Sequence, residues 1–234
     1  MLIDMHAHSK GISRCCQIDG KDMVQVVKSH GMDGIILTNH YDKWYVENDD
    51  AFSFARRYVE EFHYVKIHGF GVGIKVFFGI EVTMAKHNNI HMLIYGVDPK
   101  FVLKYPKIYD LTQEELYHLV HLNNGILVQA HPFRGGKSVL LDLAYLDGVE
   151  VNCHPLYDGT HLVELAKIAI DNKLLLTCGG DYHADTIRPK CGVYFKDDII
   201  KMNDLMQELL TSKETKLCVQ EVTGTKSVDY IYKK

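Results

Sequence analysis

The sequence predicts an α/β fold in which about seven strands close, or nearly close, into a β/α barrel. Apolar runs of strand length alternate with amphipathic stretches of helix length along all 234 residues. Such alternation argues for parallel βαβ units. No internal repeat, low-complexity stretch or linker divides the chain. Residues 1–234 therefore read as one domain, long enough for a full α/β core.

The elements follow in order. LIDMHAH is the first strand. KDMVQVVKSHG is a helix, with Asp19 as a cap and Gly31 as its stop. DGIILTNH is the next strand. DAFSFARRYVEEFHYVKIH is a longer helix, released by the glycines of GFGVG. KVFFGIEVT and NIHMLIYGV are strands. In DLTQEELYHLVHLNNG, Thr112 and Glu115 form a capping-box pattern that opens a helix. GILVQAHPF and DGVEVNCHP are strands, and GTHLVELAKIAIDN is a helix with apolar residues at helical spacing. LLLTCGGDYH and the short CGVYF are strands, and DDIIKMNDLMQELLTS is the last helix.

Bulk properties narrow the function. With 47% hydrophobic and 24% charged residues the chain is of ordinary globular composition. No apolar run approaches transmembrane length, and Asp4, His6 and His8 interrupt the start where a signal peptide needs apolar residues. A cytoplasmic location without a membrane partner is the expectation. The six cysteines show no C-x-x-C pair, which suits reduced thiols rather than a disulfide framework. A net charge of −4 gives no footprint for general nucleic-acid binding. A small phosphorylated substrate, or a nucleic-acid end held at one site, is compatible with it.

The histidines carry the strongest signal. In a strand, alternate side chains share a face, so Asp4, His6 and His8 lie together at the end of the first strand. His40, Glu81, His131 and His154 end or follow later strands, and His91 sits near the start or middle of its own. Asp181 and His183 follow LLLTCGG, again spaced by two. Strand ends of a β/α barrel converge on one face. Burying seven imidazoles and two carboxylates there without partners would cost about 1–3 kcal/mol or more per group. Divalent cations would offset that cost. The other seven histidines, His30, His63, His68, His87, His118, His121 and His161, fall in helices or loops and read as ordinary surface or core-edge residues.

Taken together, D-M-H-A-H at the start, T-N-H at 38–40, G-I-E-V at 79–82, H-M-L-I-Y-G at 91–96, A-H-P-F at 130–133 and G-D-Y-H at 180–183 resemble the motifs of the PHP family, the polymerase and histidinol phosphatase superfamily. They occur in family order over nearly the whole chain. The resemblance implies a distorted (β/α)7 barrel, a site of two or three metals at the strand C-termini, and hydrolysis of phosphate esters. Carried over, His6, His8, Glu81 and Asp181 would hold one metal. Glu81 would bridge to a second held by His91 and His131, and His40 and His183 would hold a third. The chain departs from the pattern in the loop SKGISRCC, where the family has an Asp or His, and at Asn39, where it has an acid. The expectation is two firm metals with a weak or empty third position, Arg14 adding positive charge there. Cys15 could substitute as a ligand, and an ordinary loop thiol is the blander reading.

Imidazole and carboxylate ligands suit Zn²⁺, Mn²⁺ or Fe²⁺. Two ions about 3.5–4 Å apart can lower the pKa of a shared water and stabilise the charge of in-line attack on phosphorus. Asp4 is expected to orient a ligand histidine. For the substrate phosphate, Arg134 is the first choice, then Arg188, with Lys137 and Arg14 weaker. His131, Asp181, His154 and Arg134 are the candidate catalytic residues. His154 reads equally as a leaving-group acid and as a structural residue beside Pro155. The leading reading is a stand-alone phosphoesterase for a small phosphomonoester such as histidinol phosphate or a nucleotide. An amidohydrolase and a metal-bound module that binds a phospholigand without turnover are the alternatives.

Overall fold

The computed structural model describes residues 1–136, 139–156, 159–183, 189–220 and 226–234. Lys137 and Arg188 lie outside the described residues. Seven strands form the wall of a nearly closed barrel, in the order β1 (Leu2–Ala7), β2 (Gly34–Leu37), β4 (Lys75–Met84), β5 (Ile90–Tyr95), β6 (Ile126–Gln129), β7 (Gly148–Asn152) and β8 (Leu175–Gly179). The short β3 (His40–Tyr41) extends the wall beside β4. The seam between β8 and β1 is drawn together just past the strand ends. Asp181 N–H donates to His6 O at 2.8 Å, and Ala7 pairs with Tyr182. Gly179 permits this approach, because a Cβ there would stand 2.4 Å from the Cβ of His6.

Helices α1 (Gly20–Ser29), α2 (Ala51–Val72), α4 (Gln113–Leu122) and α5 (Leu162–Asn172) form where the apolar spacing placed them. Asp19 caps α1 through Lys21 N–H, and the capping box of Thr112 and Glu115 is made on both sides. Of the glycines of GFGVG only the last releases α2; the helix runs through Gly69 and Gly71 and stops at the left-handed Gly73. Gly69 backs onto β4, where a Cβ would meet Val76 Cγ2 at 2.6 Å. Close helix–sheet packing there outweighs the low helix propensity of glycine.

The parallel βαβ expectation fails in one part of the barrel. β5 runs antiparallel to both β4 and β6, because residues 85–89 are too few for a crossover helix. The link from β6 to β7 carries short 3₁₀ turns among its described residues. A short helix, α3 (Lys100–Lys104), also went unread in the sequence. After β9 (Gly192–Tyr194) and α6 (Met202–Thr211), the chain adds a hairpin, β10 (Glu214–Gln220) and β11 (Ser227–Lys233), which extends the sheet outward from β1 through β9. No helix among the described residues is long and apolar enough to cross a membrane.

Candidate metal centre

Glu81 is the hub of the strand-end face. Its strand β4 is flanked by β3, whose His40 pairs directly with Glu81, and by β5. Because β5 is antiparallel, its first residues share an end with the C-termini of its neighbours, and His91 lies opposite Thr83. The two carboxylate oxygens divide the cluster. Glu81 Oε1 meets His91 Nδ1 at 2.9 Å and His131 Nε2 at 3.1 Å. Glu81 Oε2 faces His40 Nδ1 at 2.8 Å and the Nε2 atoms of His6 and His8, both at 3.3 Å. Asp181 Oδ1 approaches His8 Nε2 at 2.9 Å and His6 Nε2 at 3.4 Å. His183 Nδ1 bonds to Asp181 O at 2.7 Å.

A second layer fixes which nitrogen of each imidazole faces inward. His6 Nδ1 lies 2.8 Å from Glu150 Oε1, and a carboxylate accepts, so this nitrogen carries a proton and Nε2 is the nitrogen turned to the cluster. Ser13 Oγ donates to Asn39 Oδ1 at 2.9 Å and accepts from His40 N–H at 3.0 Å. With its own proton committed, Ser13 Oγ also accepts from His8 Nδ1 at 3.0 Å, so the neutral His8 turns a bare Nε2 to the cluster. Glu150 also accepts from His131 N–H at 3.0 Å and Asn152 Nδ2 at 3.1 Å. Asp4 binds the backbone beside the ligand histidine His6. It accepts from the backbone N–H groups of His6 and Gly180, tying β1 to the turn that carries Asp181, while Glu150 takes the ring. Glu150 went unread, yet it alternates with Asn152 and His154 on one face of DGVEVNCHP, a signal the period of two contains.

These donors fit divalent cations. Ligand atoms lie within 4.8 Å of one another in three sets: His6, His8, Glu81 and Asp181; His40, Glu81 and His91; and His8, His40 and His183. The Nε2 atoms of His6 and His8 face each other at 3.0 Å, close enough to share a proton or to bind one cation together. Glu81 Oε2 and Asp181 Oδ1 are buried without a hydrogen bond. His131 and Asp181 have positive φ, 30° and 49°, backbone strain of the kind held at functional sites.

Without metal the cluster balances charge internally. Burial pushes the Glu81 carboxyl up, but His40, His6 and His91 outweigh it and hold it well below the usual carboxylate range. Burial likewise opposes ionisation of Asp181, and the Arg134 guanidinium and His6 hold it low. Burial lowers His40, yet Glu81 beside it carries it up to about 10. Burial, with His183 and His40, drives His8 down to about 3, and burial with Arg134 drives His131 down to about 4.

Chelator-treated protein should therefore be most stable near neutral pH. Below about 6.5 the unfolded chain protonates His8 and His131 while the fold keeps them neutral, so stability falls with pH. The depressed carboxylates contribute stability that is lost below about pH 4. The raised His40 contributes stability that is full below about pH 6.5 and lost as pH climbs toward 10. Melting temperatures of chelated protein across this range check it; a flat profile would contradict it.

Comparison with known proteins assigns the family. The sequence profile of the PHP domain matches residues 4–176. The chain belongs to the PHP family. No curated protein matches it at the sequence level. Among solved structures, it resembles a protein of Bifidobacterium adolescentis assigned by inference as a metal-dependent phosphoesterase, at 15% identity and a TM-score of 0.57, covering 89% of this chain and 95% of that one. It also resembles an amidohydrolase from Chromobacterium violaceum with bound sulfate and no metal, at 14% identity and a TM-score of 0.58, over 89% and 97% of the two chains. PsfC from Pseudomonas syringae matches at 18% identity and a TM-score of 0.53, over 86% and 84%. At these identities the likeness establishes the fold alone. The family and the His/Glu/Asp cluster together support a metal-dependent hydrolase.

The other predicted site residues of this PHP chain are placed unevenly. Arg134 begins a 3₁₀ turn after His131 and bonds to Asp181 Oδ2. With Asn88, Asn89, His91 and His131 it lines a recess of about 270 Å³. His154 is buried, 6.1 Å from His183 between ring centres, and its Nδ1 accepts from Leu156 N–H. Arg14 does not turn to the cluster; it bonds Glu47 at 2.8 Å and lies over the Tyr45 ring. The larger recess of about 900 Å³ opens near the barrel's other end, lined by Phe62, Phe77, Val97 and Met206, and touches none of the cluster.

Proposed function

We propose that this PHP protein is a metal-dependent phosphoesterase acting on a small phosphomonoester, of the histidinol phosphate or nucleotide kind. The observation that carries the reading is Arg134, a guanidinium bonded to Asp181 and opening onto the recess beside His91 and His131. In this reading His6, His8, Glu81 and Asp181 hold one divalent ion, and Glu81 Oε1 with His91 and His131 holds a second. Bound ions of the Zn²⁺, Mn²⁺ or Fe²⁺ type would supply Lewis acidity, making a water nucleophilic near neutral pH and drawing charge from phosphate oxygens.

The chain's own groups do the rest. Glu150 and Ser13 hold the Nδ1 atoms of His6 and His8, so both rings keep Nε2 turned to the site. Arg134 receives the phosphate oxygens in a fixed fork. His154, with Nδ1 engaged as an acceptor, keeps its proton on Nε2, the nitrogen able to protonate a leaving oxygen. The recess beside Arg134 is small, which favours a compact leaving group.

Phosphate release from a panel of phosphomonoesters, phosphodiesters and cyclic amides, with Mn²⁺ or Zn²⁺ supplied, tests the reading. Arg134→Ala should raise KM about 10- to 100-fold, the loss of a charged hydrogen bond of about 1.5–3 kcal/mol. Unchanged kinetics would remove Arg134 from the substrate site. Amide hydrolysis without phosphate release would favour the amidohydrolase reading. Against it stands that no described lysine pairs with Glu81 or Asp181. A phospholigand bound but never turned over would indicate a non-catalytic module.

A further inference from the structure

β11 leaves one side of its backbone open. It pairs with β10 residue for residue, from Ser227 against Gln220 to Lys233 against Glu214, without a bulge. No other strand among the described residues lies on its far side. The phase of the ladder says which groups face outward. Lys234 N–H donates to Lys213 O at 3.0 Å. In an antiparallel pair the backbone groups alternate, so those of Val228, Tyr230 and Tyr232 turn to β10, and those of Asp229, Ile231 and Lys233 turn away.

The strand is held firmly in place. Tyr232 is buried and its Oη donates to Leu174 O at 2.6 Å, while Lys234 Nζ bonds to Leu209 O of α6. Edge strands are commonly blunted by a bulge, a proline or short length. β11 has none of these. On its outer face, Asp229 lies 2.6 Å from Lys216 and Lys233 lies 3.3 Å from Glu214. Ile231 stands between them and is half exposed.

This order is symmetric about Ile231 and complementary to itself. We propose that β11 pairs antiparallel with β11 of a second copy of this chain, Ile231 lying opposite the partner's Ile231 on a twofold axis. Asp229 then stands opposite the partner's Lys233, and Lys233 opposite the partner's Asp229. Each of these pairs exchanges two backbone hydrogen bonds, because all three residues turn their N–H and C=O groups outward. Charge alternates across the four strands, from Glu214 to Lys233 to the partner's Asp229 to the partner's Lys216. The opposite face sets Tyr230 beside the partner's Tyr232, an aromatic cross-strand pair. A slide of two residues keeps the hydrogen bonds but sets Asp229 against the partner's Ile231 and loses both charge pairs. A slide of one carries every N–H past its acceptor. The contact uses the same patch on both copies, so it closes as a dimer and leaves no further edge. Since β9, β10 and β11 run outward from β1 in antiparallel steps, one sheet would join the first barrel strands of the two copies.

Sedimentation equilibrium of the full chain over a concentration series tests this, each variant first being checked for wild-type circular dichroism. Wild type should tend to twice the 26.8 kDa mass of the chain. Ile231→Pro removes an N–H that faces away from β10, so it spares the ladder within the chain. It should raise the dimer Kd about tenfold or more. Asp229→Lys and Lys233→Asp each set like charges opposite one another at both ends of the contact, and each alone should weaken association about tenfold or more. Mixed in equal amounts, these two variants put opposite charges back at both ends and should recover most of the lost affinity. A wild type that stays monomeric throughout would overturn the proposal. So would a dimer that Ile231→Pro leaves intact, or a mixture that associates no better than either charge variant alone.

Discussion

Glu81→Gln is expected to abolish metal binding at the centre and to lower turnover about a thousandfold or more, because several kcal/mol of ligand and charge stabilisation are lost at about 1.4 kcal/mol per decade. The substitution keeps the side chain's shape. It removes the charge that all five surrounding imidazoles face, and it turns one oxygen into an NH₂ donor aimed at His91 and His131 or at His6, His8 and His40. No rotation of the amide spares both sets. The clean readout is thermal: an ion bound only by the folded state stabilises it by about 2.7 kcal/mol at a hundred times its Kd. Wild type should melt higher with Mn²⁺ or Zn²⁺ added, and Glu81→Gln should not. An equal shift in both would show that Glu81 is not the hub.

Glu150→Ala should be the costliest change outside the ligand set. Glu150 is fully buried and accepts from His6 Nδ1, His131 N–H and Asn152 Nδ2. Burial lowers the His6 imidazole, but Glu150, then Glu81 and Asp181, carry it well above its usual range. Removing one member of such a buried pair costs about 3–5 kcal/mol. Freeing the tautomer and orientation of a ligand histidine costs about 10- to 100-fold in metal affinity. Denaturant unfolding of chelated protein measures the first effect and metal titration the second. Glu150→Gln keeps the shape and one acceptor and should recover part of each. A loss of stability under about 1 kcal/mol would mean that the pair does not support the fold.

What the sequence displayed of this site follows from the periodicity of strands. His6 and His8, and Asp181 and His183, show themselves by their spacing of two, and the strand ends of a barrel bring them together. His91 was harder to place, since it stands near the beginning of its strand. Only the antiparallel course of β5, set by the short link before it, puts that end on the same face. Glu150 was visible in principle by alternation, but a single acid inside an apolar strand gives no hint of its partners, which come from β1 and from the residue after Ala130. The role of Asn39 was not readable at all, because it depends on where one serine proton goes. The β10–β11 hairpin escaped for a different reason. β11 is largely exposed, with even Val228 and Ile231 turned to solvent, so its apolar residues do not mark a buried face as those of the barrel strands do.

Phosphate release measured on metal-replete, chelated and metal-restored protein, with His131→Ala alongside, tests the central claim most directly. Activity on a phosphomonoester that vanishes on chelation, returns with Mn²⁺ or Zn²⁺, and is absent from His131→Ala at every metal concentration is the result predicted. Release that survives chelation, or that His131→Ala retains in full, would contradict it.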